Sequence, residues 1–230
     1  MSTDEPNNPS WALAFSEGSD RRARRTKKAL MDALLELLRE KPLTAITVTE
    51  LAKRADVNRA TFYTHYQDVY DMYDHLIEAL CSICRSIVDA HGSELAAGSY
   101  LGLIEDIYQF VDDNELVFNM ALSDNSLFSA IIPVVREACM KNANVVKGAY
   151  AQLNAGKDAD ATLRQTCQTV CNYQFDYIAG GVVNILRSWL AQGRKESVHR
   201  IALITDSCIH SLNPDGHFRI TANTVRSLGE

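Results

Sequence analysis

Along most of this chain apolar residues recur every three or four positions, the spacing of one buried helix face, and nowhere do they alternate as a half-buried strand requires. Leu30, Leu34, Leu37 and Leu38 predict a first helix, which Lys41-Pro42 should end. A long stripe follows from Val69 through Met72, Leu76, Leu80, Cys84 and Val88. It predicts a connector helix of about six turns that stops near His91-Gly92. Residues 99–122 read as two helices, the first facing inward through Leu103, Ile104, Ile107, Tyr108 and Val111. A helical pattern spans Phe128–Leu153, but Pro133 should start it late or kink it. The segment NAGKDADA (154–161) reads as a loop, and Thr162–Gln192 as a long helix with Gly193 as its stop. The second half of that helix is apolar on most sides, which predicts burial on more than one face. Val198, Ile201, Ala202, Thr205, Cys208, Ile209 and Leu212 mark the last amphipathic helix. The expected fold is all-α.

Between the first helix and the connector lies TVTELAKRADVNRATFYTHY (47–66), two short helical patterns with a break at 55–57. Thr47 and Glu50 have the spacing of a capping box: the Thr47 hydroxyl accepts from the Glu50 amide and the Glu50 carboxylate reaches back. Asn58 suits the start of the second helix. Helices this short are unstable alone and must dock. The arrangement predicts a helix-turn-helix, completing a three-helix domain with the first helix. Leu51, Val57, Phe62 and Tyr66 should form its seam. Arg59, Tyr63, Thr64 and His65 fall on the outer face, where they are suited to base edges; Thr47 and Asn58 are placed for phosphate, and Ala60 and Thr61 are small enough for close approach.

Composition alone points away from nucleic acid, since the 230 residues carry a net charge of −6. The distribution reverses that. Residues 20–67 hold 11 Lys/Arg against 6 Asp/Glu, whereas residues 68–230 hold 12 against 20. A basic head on an acidic body fits a protein that offers one end to a polyanion. Within the head, Arg21, Arg22, Arg24, Arg25, Lys27 and Lys28 form a dense run at a helix N-terminus, where cations oppose the dipole. Such a run is either a solvated helix start or an arm for phosphate or the minor groove, with Arg22 and Arg25 the chosen contacts. The division expected is a flexible tail over 1–19, a DNA-binding domain over 20–67, a helical regulatory and dimerisation domain over 68–212 and a terminal tail over 213–230. Nothing resembles a secretory signal, and the most apolar stretch is interrupted by Asn184 and Arg187, so a cytoplasmic protein is expected.

The stretch ITVTELAKRADVNRATFYTHYQDVYDM resembles the DNA-binding signature of the TetR/AcrR family of transcriptional regulators over about residues 22–75. Thr47, Leu51-Ala52, Val57, Thr61-Phe62-Tyr63 and His65-Tyr66 all coincide with it. Two positions depart: Val69 stands where the family often has a phosphate-contacting Lys, and Ala60 where Gly is frequent. The resemblance implies a homodimer on a palindromic operator, usually a repressor, released by a small-molecule effector. It also implies that the last two helices form the dimer interface, with Gly180, Gly181, Val182, Leu186, Trp189, Ile201 and Cys208 as the expected contacts. YIAGGVVNILRSWLAQG is similar to the penultimate helix of a subgroup that includes dihydroxyacetone kinase operon regulators. Two glycines inside a helix cost roughly 1–2 kcal/mol relative to Ala, so a close helix crossing, within the chain or with a partner, should compensate. An effector pocket would be lined by Tyr108, Phe128, Ile131, Tyr173 and Tyr177, each of which also suits an ordinary core.

Other chemistry is sparse. The six cysteines include Cys81 and Cys84 as C-x-x-C and Cys167 and Cys171 one turn apart, all on apolar helix stripes. They read as small buried hydrophobes, with a thiol-based sensor at Cys81/Cys84 as the alternative. The histidines show no zinc-type spacing, and no nucleophile elbow, phosphate loop or carboxylate pair is present. No enzyme, cofactor or metal is expected. An activator or a nucleoid-associated DNA-binding protein without a small ligand remains open beside the repressor.

Overall fold

A computed structural model of the chain describes residues 21–114, 117–118, 126–142 and 161–212. Every regular element among them is helical: α1 (Arg21–Glu40), α2 (Val48–Arg54), α3 (Arg59–Tyr63), α4 (Val69–Ala90), α5 (Gly92–Ala96), α6 (Leu101–Asp113), α7 (Ser126–Asn142), α8 (Ala161–Ala191) and α9 (Val198–Leu212), with a short 3-10 turn at Leu43–Ala45. The tails expected over 1–19 and 213–230 lie outside the described residues, as does the loop expected over 154–161 except Ala161, which opens α8. No described helix is long and apolar enough to cross a membrane. Among the described residues, those up to Cys84 together with Phe110–Ile131 form one compact unit, and Arg85–Gln109 with those from Ile132 onward form another.

The first unit is built on α1, which buries Leu30, Met31, Leu34 and Leu37 completely. Leu51 and Phe62 are equally buried and Tyr66 nearly so, as the seam requires; Val57 is only half-buried. Ion pairs fix α2 against α1. Arg54 reaches Glu40 at 3.0 Å and Glu36 at 3.2 Å, and Lys41 pairs with Glu50. That last pair departs from the capping box. Thr47 Oγ1 accepts from the Glu50 amide at 3.3 Å, but the Glu50 carboxylate goes to Lys41 rather than back to Thr47. A charge-assisted bond to an ammonium outcompetes one to a neutral amide. Further along, Val69, Met72, Leu76 and Leu80 of α4 are buried, and Phe118 lies between Phe110 and Phe128 at ring distances of 5.6 and 6.5 Å.

In the second unit, Val88, Leu95, Leu103 and Ala138 form one cluster, flanked by Ile87, Tyr100, Ile107, Val135 and Cys139. Tyr108 is fully buried, its ring 5.9 Å from that of Trp189 and its hydroxyl 2.9 Å from Thr205 Oγ1. Because the Thr205 hydroxyl donates to the Ile201 carbonyl, Tyr108 is the donor of that pair. The Trp189 indole donates to the Glu196 carbonyl at 2.9 Å, fixing the turn between α8 and α9. α8 ends as the Gly193 stop predicts: Gly193 has φ +76°, and the amides of Gly193 and Arg194 bond the carbonyls of Leu190 and Trp189.

A late start for α7 is corrected, and α8 keeps one face uncovered within the chain. α7 begins at Ser126 and runs through Pro133, which lies inside the helix on its exposed side. Leu127, Phe128 and Ile131 before the proline and Ala138 after it are all buried, and that packing offsets the roughly 3 kcal/mol that an interior proline costs. Within the single chain the second half of α8 buries one face. Leu186, Trp189 and Leu190 point inward, while Tyr177, Gly180, Gly181, Asn184 and Ser188 are exposed.

Candidate nucleic-acid interface

The outer face of the head is set by two caps and one strained residue. Thr47 starts α2, Asn58 Oδ1 accepts the Ala60 amide at 2.9 Å to start α3, and Asp56 turns the chain between them at φ 53°. These capping groups retain donors: the Thr47 hydroxyl hydrogen and the Asn58 amide NH2 are available to a phosphate while their oxygens cap. Both residues are exposed. In α3, Phe62 turns inward and Tyr63 outward, 51% exposed, with its ring set edge-on to Phe62 at 5.5 Å. Arg59 and Ala60 are exposed beside it and Thr61 is half-buried. The Thr64 hydroxyl donates to the Thr61 carbonyl at 2.7 Å, so towards a base it acts as an acceptor.

His65 sits half-buried at the end of this face. Partial burial, and secondly the positive charge of Lys27, hold its pKa below the usual histidine value. Lys27 thus belongs electrostatically with His65, a link that the dense basic run hinted at without singling out the residue. Arg22 and Arg25 are exposed on the first turns of α1. Val69, where a lysine contact is missing, is 4% exposed and packs in the core, and the adjacent Tyr70 is 52% exposed.

A helix-turn-helix with this face is matched by a family model described as bacterial regulatory proteins, tetR family, over residues 30–76. The head belongs to the TetR family. A stretch of 64 residues, 27% of the chain, is 36% identical to the uncharacterized HTH-type transcriptional regulator YxbF of Bacillus subtilis (strain 168). Over 110 residues, 44% of the chain, identity is 26% to an uncharacterized HTH-type transcriptional regulator of Haemophilus influenzae. The matches span 17% and 51% of the lengths of these relatives. A solved structure, the dihydroxyacetone kinase operon activator DhaS, aligns with a TM-score of 0.47 at 14% identity, over 81% of this chain and 95% of that one. So distant a likeness carries no argument about function.

Phe128 and Ile131 are buried in the first unit and Tyr108 in the second. Tyr173 and Tyr177, expected in a pocket wall, are instead 71% and 68% exposed on α8, because the opposite face of that helix carries Cys167, Cys171 and Phe175 inward. Of the residues expected at a dimer contact, Leu186, Trp189 and Ile201 are 4%, 2% and 6% exposed and are taken up by the chain's own core. Gly180, Gly181 and Cys208 lie on the surface, with Val182 half-buried, around a groove of about 470 Å³. A Cβ at either glycine would meet nothing within 4 Å, so no close crossing within the described chain explains them.

Cys81 and Cys84 are poorly placed for sensing. Burial pushes Cys84 up to about 12, and the Cys81 thiol contacts the Ala130 carbonyl at 3.7 Å. Among the described residues no group of His, Cys, Asp and Glu is arranged to hold a metal ion.

Proposed function

We propose that this protein is a sequence-specific DNA-binding transcriptional regulator of the cytoplasm, a repressor that acts as a homodimer on a palindromic operator and is released by a small molecule. The observation that carries the reading is the outer face of the capped α2–α3 pair. Arg59 and the hydroxyl of Tyr63 are exposed there, Thr47 and Asn58 keep donors free for phosphate, and the flanking α1 begins with exposed arginines. Phosphate contacts of this kind position a protein, and side chains on α3 read base edges. The basic head and acidic remainder give the molecule one polarity toward DNA.

Homodimerisation is supported by the second unit. Tyr173, Tyr177, Leu203 and Ile204 are large exposed apolar residues on α8 and α9, and the Gly180-Gly181 surface of α8 is bare. One short recognition helix reads only a few base pairs, and two heads about 34–36 Å apart, one turn of B-DNA, supply useful specificity. Release by a small molecule, and repression rather than activation, are carried over from the likeness of the head. Thiol sensing at Cys81/Cys84 is disfavoured by the raised Cys84 pKa.

The test is selection of binding sites from random DNA, followed by affinity measurements on Arg59→Ala and Tyr63→Ala. Each should lose about 1–3 kcal/mol and relax preference at one position of the site. Wild-type affinity and preference in both would overturn the assignment. Native mass spectrometry of the purified protein would reveal a retained effector.

A further inference from the structure

His91, just past the end of α4, has carboxylates on both sides of its ring. Nδ1 lies 3.1 Å from Glu94 Oε2 on α5, and Nε2 lies 2.8 Å from Asp106 Oδ2 on α6. A neutral imidazole has one N–H and one lone pair, so one of these contacts would set a lone pair against an anion. Only the imidazolium donates to both. The side chain is 14% exposed, less than either carboxylate, so water screens the ring itself poorly. Gly102 of α6 leaves room for this arrangement: a Cβ there would lie 2.7 Å from Glu94 Oε2 and 3.0 Å from His91 Cε1, and the Glu94 carboxylate would have to move aside.

Partial burial pulls the His91 pKa down, but the hydrogen bonds to Asp106 and Glu94, with their charges, outweigh it and leave it above the usual histidine value. The surrounding charges are otherwise engaged or exposed. Glu105 of α6 pairs with His199 of α9, His210 of α9 is 3.3 Å from Asp206, Arg85 of α4 is 3.6 Å from Glu137 of α7, and Asp89 of α4 is exposed.

We propose that His91 is a pH-sensitive latch: its imidazolium ties α5 and α6 to the end of α4, and deprotonation on an alkaline shift releases them. The proposal does not depend on the DNA-binding reading. A group whose folded pKa is raised contributes fully below its unfolded value of about 6.5, and the contribution is lost as pH rises through the folded value. Each unit of separation corresponds to about a tenfold change in the latch equilibrium.

The experiment follows the His91 Cε1–H resonance of the full chain by NMR from about pH 5.5 to about pH 9, assigned with His91→Gln, beside denaturant unfolding at both ends of that range. The expected midpoint lies above 6.5 in the wild type and falls in Asp106→Asn. Wild type should lose stability toward high pH. His91→Gln, which keeps a donor but cannot titrate, should lose less. Amide exchange in α6, corrected for its intrinsic pH dependence, should accelerate at high pH only where His91 is intact. A His91 midpoint at or below 6.5, or equal losses in wild type and His91→Gln, would overturn the latch. Should His91→Gln not fold, the midpoint in Asp106→Asn decides alone, and no fall there rejects the proposal.

Discussion

At residue scale, the turn between α2 and α3 stores avoidable strain. Asp56 adopts φ 53°, a region that L side chains other than Asn and Asp seldom enter. Glycine enters it without steric cost, although it gives up more entropy on folding. Asp56→Gly should therefore stabilise the protein by up to about 1 kcal/mol, read as a higher denaturant midpoint at unchanged slope. A lower midpoint would mean that the aspartate side chain supports the turn. Sequence placed the neighbouring residues well where spacing alone decides. Phe62 and Tyr66, four apart, went inward and Tyr63 outward, as the structure has them. It could not foresee Glu50, whose partner Lys41 stands nine positions away and competes with a local cap.

At the scale of elements, periodicity and stop signals carried most of the information. The six-turn α4, the Pro42 break and the Gly193 stop were legible because each depends on local backbone chemistry. Pro133 misled only as to where α7 begins, because burial on both sides of it lets the helix run through a local breaker. The ion pairs that hold α2 on α1 were likewise invisible in spacing, since Arg54 meets Glu36 and Glu40 across 18 and 14 residues. Arg54→Glu would set three carboxylates together at that contact. It should lower the melting temperature, and Glu40→Arg added to it should restore part of the loss. Such recovery in a double-mutant cycle distinguishes the pair from unrelated surface effects. A double variant no more stable than Arg54→Glu would show that the ion pair does not hold α2 in place.

For the molecule as a whole, the division of charge was legible and the faces of α8 were not. A helix apolar on most sides gives no sequence clue to which side its own chain will cover. Leu186 and Trp189 proved to be core, while Gly180 and Gly181 stayed bare. The open space at Gly181 makes Gly181→Arg an informative variant, because the single chain has room for the side chain. If two copies meet there, the variant should sediment as a monomer with near-wild-type helical circular dichroism and lose tight operator binding. Weak low-salt binding by the untouched head should persist, and a variant that stays dimeric would move the interface elsewhere. The same surface supplies a reporter that needs no mutation. Cys208 is exposed beside the glycines, whereas Cys84, Cys167 and Cys171 are buried and Cys81 and Cys139 half-buried. A maleimide should alkylate Cys208 first. The rate at which it does so, followed by dilution through the assembly equilibrium, would footprint the contact one thiol at a time: slow while two copies cover it, fast once they part.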